Sequence, residues 1–439
     1  MRHPSAVLSL LLLPLAGCAA AKSAAVRPLV IANVTVIDMT GASARPNMDV
    51  IIEGSRIAAI SRVGDSRLSR GARVVDGRGK YLIPGLWDMH THLSSYGEEA
   101  LAALVRHGVL AVRDVGGNLT QLDAWRAEID RGAQRGPRIF RAGPFVDGPK
   151  EMSEERASMT IVARNADEAR AAVTKLKAEG VDLIKSHNGL SREAYFALAD
   201  ECRRQNMLLA MHLPTSVRIA EASDAGASSL EHVETMTESI VFADVPAGGN
   251  PTKDPLTALD ELTDERADEL FARFARNGTW FTPTLVAYRS FMQEAVDLAP
   301  HDPNYTAAAA GRTKMFNRFV ELVGRMHRSG VALLAGTDFG PHPSTVPYPV
   351  PRPGSDLHDE LELLVRAGLT PMEALQTATS GAARHLRVAD RLGTIEVGKD
   401  ADLVLLDADP LANIANTRQI RGVVLRGVFL EKAQLAPRQ

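Results

Sequence analysis

The feature that most limits how this chain can fold is an alternation of short apolar runs with amphipathic stretches through its middle. Eight apolar, strand-like runs end near His92, Asp114, Ala142, His187, His212, His232, Leu285 and Asp338. Helix-like stretches separate most of them, at 97–107, 119–131, 166–179, 191–205, 218–225, 264–276 and 307–329. Two more, 356–367 and 371–385, follow the last run. A strand that reaches its neighbour through a helix lies parallel to it, so the pattern predicts an α/β fold closed as a (β/α)8 TIM-like barrel over 84–388. An open doubly wound sheet is the alternative. Against it, no Gly-rich phosphate loop follows the first run, and the polar residues are spread over many run ends.

The chain ends read differently. Residues 29–38, 50–60, 401–407 and 421–430 are short, rich in β-branched residues and bounded by Gly, Asn or Asp. They predict a small β-sandwich domain made from both ends, 29–83 with 389–434. At the N-terminus, Arg2 and His3 precede the apolar run Ala6–Leu15 and then Leu15-Ala16-Gly17-Cys18. That run is too short to span a bilayer as a permanent helix. It reads as a lipoprotein export signal over 1–18, with 19–28 as a small, polar tether. Leu-Ala-Gly-Cys resembles a bacterial lipobox, which implies lipid on Cys18 and a membrane-anchored protein at the cell envelope, periplasmic or on the outer surface. With the Cys18 thiol carrying lipid, Cys202 is the only free cysteine, so no internal disulfide forms, and its helical surroundings suit a buried small hydrophobe. With a net charge of −3 there is no basic excess for nucleic acid. A homo-oligomer is compatible with the composition.

Polar residues gather where the apolar runs end, which in such barrels is where chemistry is done. In Asp88-Met89-His90-Thr91-His92 the two histidines share a strand face and can bind one metal, although two histidines also fall at this spacing by chance. Lys185, in Leu183-Ile184-Lys185-Ser186-His187, must be neutralised, paired or used if it points inward. A desolvated lysine can form a Schiff base or take up carbon dioxide as a metal-bridging carbamate; otherwise it pairs with a carboxylate such as Glu231 or Asp114. His212 and His232 each end a run, as does Asp338 after Leu334-Ala335-Gly336-Thr337. A single strand-end histidine is usually structural, but several convergent ones favour a metal. Asp338 suits a ligand, a general base, or both in turn.

In this order, His-x-His, Lys, His, His and Asp resemble the amidohydrolase superfamily, within it the binuclear, carboxylated-lysine branch with imidazolonepropionase-like and prolidase-like members. The likeness extends to Leu82-Ile83-Pro84-Gly85-Leu86-Trp87 before the first histidines and to Gly393-Thr394-Ile395-Glu396-Val397-Gly398-Lys399-Asp400-Ala401-Asp402-Leu403-Val404. It implies two divalent metal ions, most often zinc. His90, His92 and Asp338 would hold one and His212 and His232 the other. A carbamate on Lys185 would bridge them beside a hydroxide, with Asp338 as general base and acid. The implied reaction is hydrolysis of an amide or peptide C–N bond in a dipeptide, N-acyl amino acid or related amide. Ser186-His187-Asn188-Gly189 after the lysine is shorter and less Gly-rich than in prolidase-like members, and imidazolonepropionase works without a bridging lysine. A deaminase or cyclic-amide hydrolase is therefore an alternative, and a non-catalytic metal-binding lipoprotein is another. His187, His342, Tyr348 and His358 are expected at the substrate, the middle two from the proline-rich segment 341–354. Asp114 reads as a supporting partner, His107 as a helix cap, and His301, His327 and His385 as structural or surface residues.

Overall fold

The computed structural model describes residues 27–65, 71–242, 251, 253–298, 303–340 and 351–435. The expected export signal, Cys18, the tether up to residue 26, His301, His342 and Tyr348 all lie outside the described residues. Among the described residues no helix is long and apolar enough to cross a membrane.

The two chain ends do pair. Leu403–Leu406 runs antiparallel beside Tyr81–Pro84, with Leu403 opposite Pro84. Eight strands from both ends form one hydrogen-bonded sheet. Its alternate residues, among them Ile31, Val50, Ile52, Leu403, Leu405 and Val424, bury a common core. The segment 50–60 splits at Gly54, whose φ of 58° turns Arg45–Glu53 back into Arg56–Arg62. Ile57 donates its N–H to Lys399 O at 2.9 Å and Ala401 to Ser55 O at 2.8 Å. The strands of the expected sandwich are linked by hydrogen bonds into one sheet, whose edge strand Arg56–Arg62 also meets 398–401.

The middle of the chain is mixed α/β with parallel strands. Leu86–Thr91, Val109–Asp114 and Arg138–Arg141 form one set. Phe145–Asp147, Leu183–Ser186, Leu208–Met211, Ser229–Glu231 and Trp280–Thr282 follow in a second. Asp182 N–H to Arg141 O, at 2.9 Å, joins the two sets. The last apolar run links their other edges: Leu334 donates to Phe281 O and Met89 to Ala335 O, both at 2.9 Å. That run is expected as a strand but makes only single bridges, Leu333 to Phe281 and Phe339 to Thr91. Asp338, at a φ of 56°, interrupts the extended backbone there. Gly336 passes so near the first strand that a Cβ on it would lie 2.8 Å from His90 Cβ.

Side chains at helix starts explain the boundaries between these elements. Asn165, Ser191, Thr263 and Thr370 each accept a bond from a first-turn N–H. The stretch 371–385, expected as one helix, is two: Pro371–Thr377 and Ser380–His385, with Thr379 between them in non-helical backbone. Leu285, expected at a strand end, instead starts the helix Leu285–Leu298.

Candidate metal centre

Strand alternation delivers the site. Leu183 and Ala210 pack in one apolar cluster and Ile184, Leu209 and Met211 in another. Lys185 and His212 continue the first of these faces beyond the apolar residues. The rings of His90, His92, His232, His212 and His187 then form a connected group. Centroids are 5.4 Å apart for His90–His92, 4.5 Å for His90–His232, 5.0 Å for His212–His232 and 4.8 Å for His187–His212. Asp338 sits among them, its Oδ1 3.3 Å from His90 Nε2 and 3.2 Å from His92 Nε2, its Oδ2 3.8 Å from His232 Nδ1. Ligand atoms of His90, His92 and Asp338 all lie within 4.8 Å of one another, close enough for one ion.

Three of these histidines, His90, His92 and His232, have their orientation set from behind. His90 Nδ1 is 2.8 Å from Glu231 Oε2, so the carboxylate accepts the ring N–H and Nε2 keeps its lone pair toward Asp338. Glu231 is gripped by Arg113, whose Nη2 donates to both carboxylate oxygens at 2.8 Å. Arg113 also donates to Met89 O and Ser229 Oγ, tying three strands together. His92 Nδ1 is 2.9 Å from Gly116 O and His232 Nδ1 3.1 Å from Thr284 Oγ1. Asp88 accepts from Thr337 N and Oγ1 and from His90 N, joining the first strand to the last run. His232 and Asp338 have φ values of 71° and 56°, unusual for residues with a Cβ and costing on the order of 1–2 kcal/mol each.

The electrostatics suit metal ligands. Burial drives His90, His212 and His232 well below the ordinary histidine range, and neighbouring rings and Lys185 push the same way, so the imidazoles are neutral. Burial raises Asp338, but His232, His92 and Lys185 outweigh it and hold it below the usual carboxylate range. Lys185 is 1% exposed and its Nζ has no hydrogen-bond partner. Burial brings its ammonium down to about 8. The alternative, a structural pairing of Lys185 with Glu231 or Asp114, is not made: Glu231 is held by Arg113 and His90, and Asp114 accepts from Leu93 N at 2.7 Å and Gly116 N at 3.3 Å. Asp114 thereby shapes the turn whose Gly116 carbonyl orients His92.

His187 joins the group, stacked on His212 and held 3.4 Å from Asp147 Oδ2. His358 does not. Its Nδ1 is 2.9 Å from Thr417 Oγ1 and its Nε2 3.1 Å from His107 O, so both nitrogens are committed to packing and the expected substrate contact is withdrawn. His107 caps Glu99–Arg106, His385 is buried beside Arg113, and Cys202 is buried with its thiol pushed up to about 12 by burial. Sequence reasoning missed Arg113, Asp88, Asp147, Arg156, Glu234 and Glu238. Only Arg113 left a clear signal, as a charge inside the apolar strand Val109–Asp114, where it must find a partner.

Neutral imidazoles and an ionised carboxylate at the ends of parallel strands, beside a buried, unpaired lysine, are donors that could hold a divalent metal ion. The chain belongs to the amidohydrolase family, whose model matches residues 81–430. It is 28% identical over 404 residues to the imidazolonepropionase of Anaeromyxobacter sp. (strain K), covering 82% of this chain and 84% of that protein. Among solved structures it matches a putative prolidase from Bifidobacterium longum with a TM-score of 0.70 and 26% identity, over 92% of this chain and 94% of that one. A bottromycin amidohydrolase matches with a TM-score of 0.72 and 25% identity, over 92% and 87% of the two chains.

Proposed function

We propose that this chain is a binuclear metallohydrolase that cleaves an amide or peptide C–N bond, and that its parallel strands close as a (β/α)8 barrel around the site. The observation that carries the reading is Lys185: a buried amine without a partner, among five imidazoles and Asp338. Leaving such a group unpaired is unfavourable unless something else satisfies it. As the free amine, Lys185 attacks carbon dioxide; the new N–C bond gives a carbamate anion and the displaced proton leaves to solvent. In that form it would hold two divalent cations, zinc being the ion these nitrogen and oxygen donors suit, with His90, His92 and Asp338 on one side and His212 and His232 on the other. Bound there, the cations would supply Lewis acidity toward a water and the scissile carbonyl. Asp338 takes the proton from the attacking water and returns it to the leaving nitrogen. Glu231, held by Arg113, keeps His90 oriented throughout.

Metal content of Lys185→Ala beside wild type tests this, together with dipeptide and N-acyl amino acid panels run on metal-loaded protein. The expectation is joint loss of roughly two metals and of all but background activity, a fall of more than about 10³-fold. Full metal content in Lys185→Ala would sink the bridging role. Turnover of esters or phosphotriesters but of no amide would sink the substrate class. A second reading, a deaminase or cyclic-amide hydrolase, draws on the imidazolonepropionase likeness. Ammonia release from heterocycles separates the two. We also propose, from Leu15-Ala16-Gly17-Cys18, that lipid on Cys18 anchors the enzyme at the cell envelope. Labelled fatty acid should enter wild type and not Cys18→Ser.

A further inference from the structure

Two flanks of the metal centre carry ionisable side chains with no lysine, arginine or carboxylate at ion-pair distance among the described residues, Asp147 acting on Arg156 only from further away. We propose that they select a zwitterionic substrate, the carboxylates of Glu234 and Glu238 receiving an ammonium group and the guanidinium of Arg156 receiving a carboxylate. This rests on the amide-hydrolase reading and narrows it to dipeptides with both ends free.

The acidic flank follows directly from His232. Glu234 is the N-cap of the helix Thr235–Val241, and Glu238 lies one turn further on the same side. That side looks onto the histidines, since Glu238 Oε2 is 3.8 Å from His212 Nε2. Glu234 Oε2 is buried and has no hydrogen-bond partner. Among the described residues neither acid has a lysine or arginine partner. Two such carboxylates one turn apart on a helix repel one another when both are ionised. An arriving ammonium would satisfy both.

The basic flank is built on an aromatic ring. The Arg156 guanidinium lies 4.1 Å over the ring of Phe145. Phe145 in turn touches His187 at 5.3 Å and His92 at 5.6 Å between centroids. Although half-buried, the guanidinium makes no ion pair or hydrogen bond among the described residues. A planar, ring-supported guanidinium with its donors free is suited to grip a carboxylate through two parallel bonds. The contacts run in a row from Arg156 through Phe145, His187 and the stacked His212 to Glu238. Lys185 and Asp338 belong to the same histidine group. A dipeptide has this polarity, with a cation and an anion on either side of one scissile bond. An N-acyl amino acid lacks the cation, and a neutral cyclic amide lacks both.

The experiment compares kcat/KM of the metal-loaded, full-length enzyme on a dipeptide, its N-acetylated form and its C-terminal amide. Blocking either end should lower kcat/KM by about 10²-fold. Glu234→Gln should erase most of the preference for the free amine while keeping that for the free carboxylate. Arg156→Gln should do the reverse, with Arg156→Lys recovering part of the loss. Metal content at the wild-type level in these variants separates lost recognition from a damaged centre, and Glu238→Gln substitutes for Glu234→Gln should the latter fold poorly. Equal kcat/KM for free and blocked substrates overturns the inference and leaves the hydrolase reading standing. No turnover of any amide overturns both.

Discussion

His90 and His232 at the strand ends and His358 against the Ile414–Arg418 turn are alike in being kept from water, yet their ring nitrogens are treated differently. Both nitrogens of His358 have partners in Thr417 and His107. At the strand ends, His90 Nε2 is buried without a hydrogen-bond partner, and so is the neighbouring Lys185 Nζ. The first arrangement is what a folded interior normally achieves. The second leaves both atoms without a hydrogen-bond partner in the chain, and it is accompanied by left-handed backbone at His232 and Asp338. Burial alone therefore does not distinguish a functional histidine from a structural one; the fate of the second nitrogen does.

The comparison can be broken most forcefully at Asp338. Asp338→Asn should lower kcat by on the order of 10²–10⁴-fold, since the amide no longer accepts a proton, while thermal stability changes little. A variant that keeps wild-type kcat would show that the carboxylate is structural. Glu231→Gln should act less directly, weakening metal affinity or activity by about 10–100-fold through a loosened His90. It should also destabilise the fold by about 3–5 kcal/mol, because Arg113 would be left buried and unpaired. Metal titration and denaturant unfolding on the same samples separate the two effects.

At the structural histidine the expectations reverse. His358→Ala should cost about 1–3 kcal/mol in unfolding free energy, from orphaning Thr417 and the His107 carbonyl, with kcat/KM of the folded enzyme unchanged. Burial lowers His358 to about 3, so it is neutral in the native state and takes up a proton only on unfolding. Its contribution is therefore fully present above the ordinary histidine range and is lost as pH falls from about 6.5 toward about 3. The slope of stability against pH in that window should be shallower in His358→Ala; an unchanged slope would contradict the assignment. The smallest effect is expected at Cys202. Cys202→Ala should change activity less than about twofold and stability by no more than about 1 kcal/mol, and the native thiol should resist alkylating reagents under non-denaturing conditions.

The ligand candidates were readable because each follows an apolar run at a strand end. His90, His92, Lys185, His212, His232 and Asp338 could be singled out as candidates from periodicity and residue type, and the pairing of the chain ends from their shared β-branched composition. His358 misled for the same reason: a histidine after the last apolar run looks alike whether it faces a substrate or a threonine 59 positions further on. The extra break at Thr379 and the irregular last run depend on backbone angles imposed by close packing, as where Gly336 passes His90.

Sequence by itself determined the α/β alternation, the register of polar residues at the strand ends and the family to which the chain belongs. Tertiary structure alone decided which carboxylate serves which base. Glu231 is claimed by Arg113, 118 residues away, and so orients His90 instead of neutralising Lys185. It also decided that Glu234, Glu238 and Arg156 find no lysine, arginine or carboxylate ion-pair partner among the described residues. The physical reason is that hydrogen bonds and ion pairs reach only about 3–4 Å, and which groups come that close is set by how strands and helices pack, information that no local stretch of sequence carries.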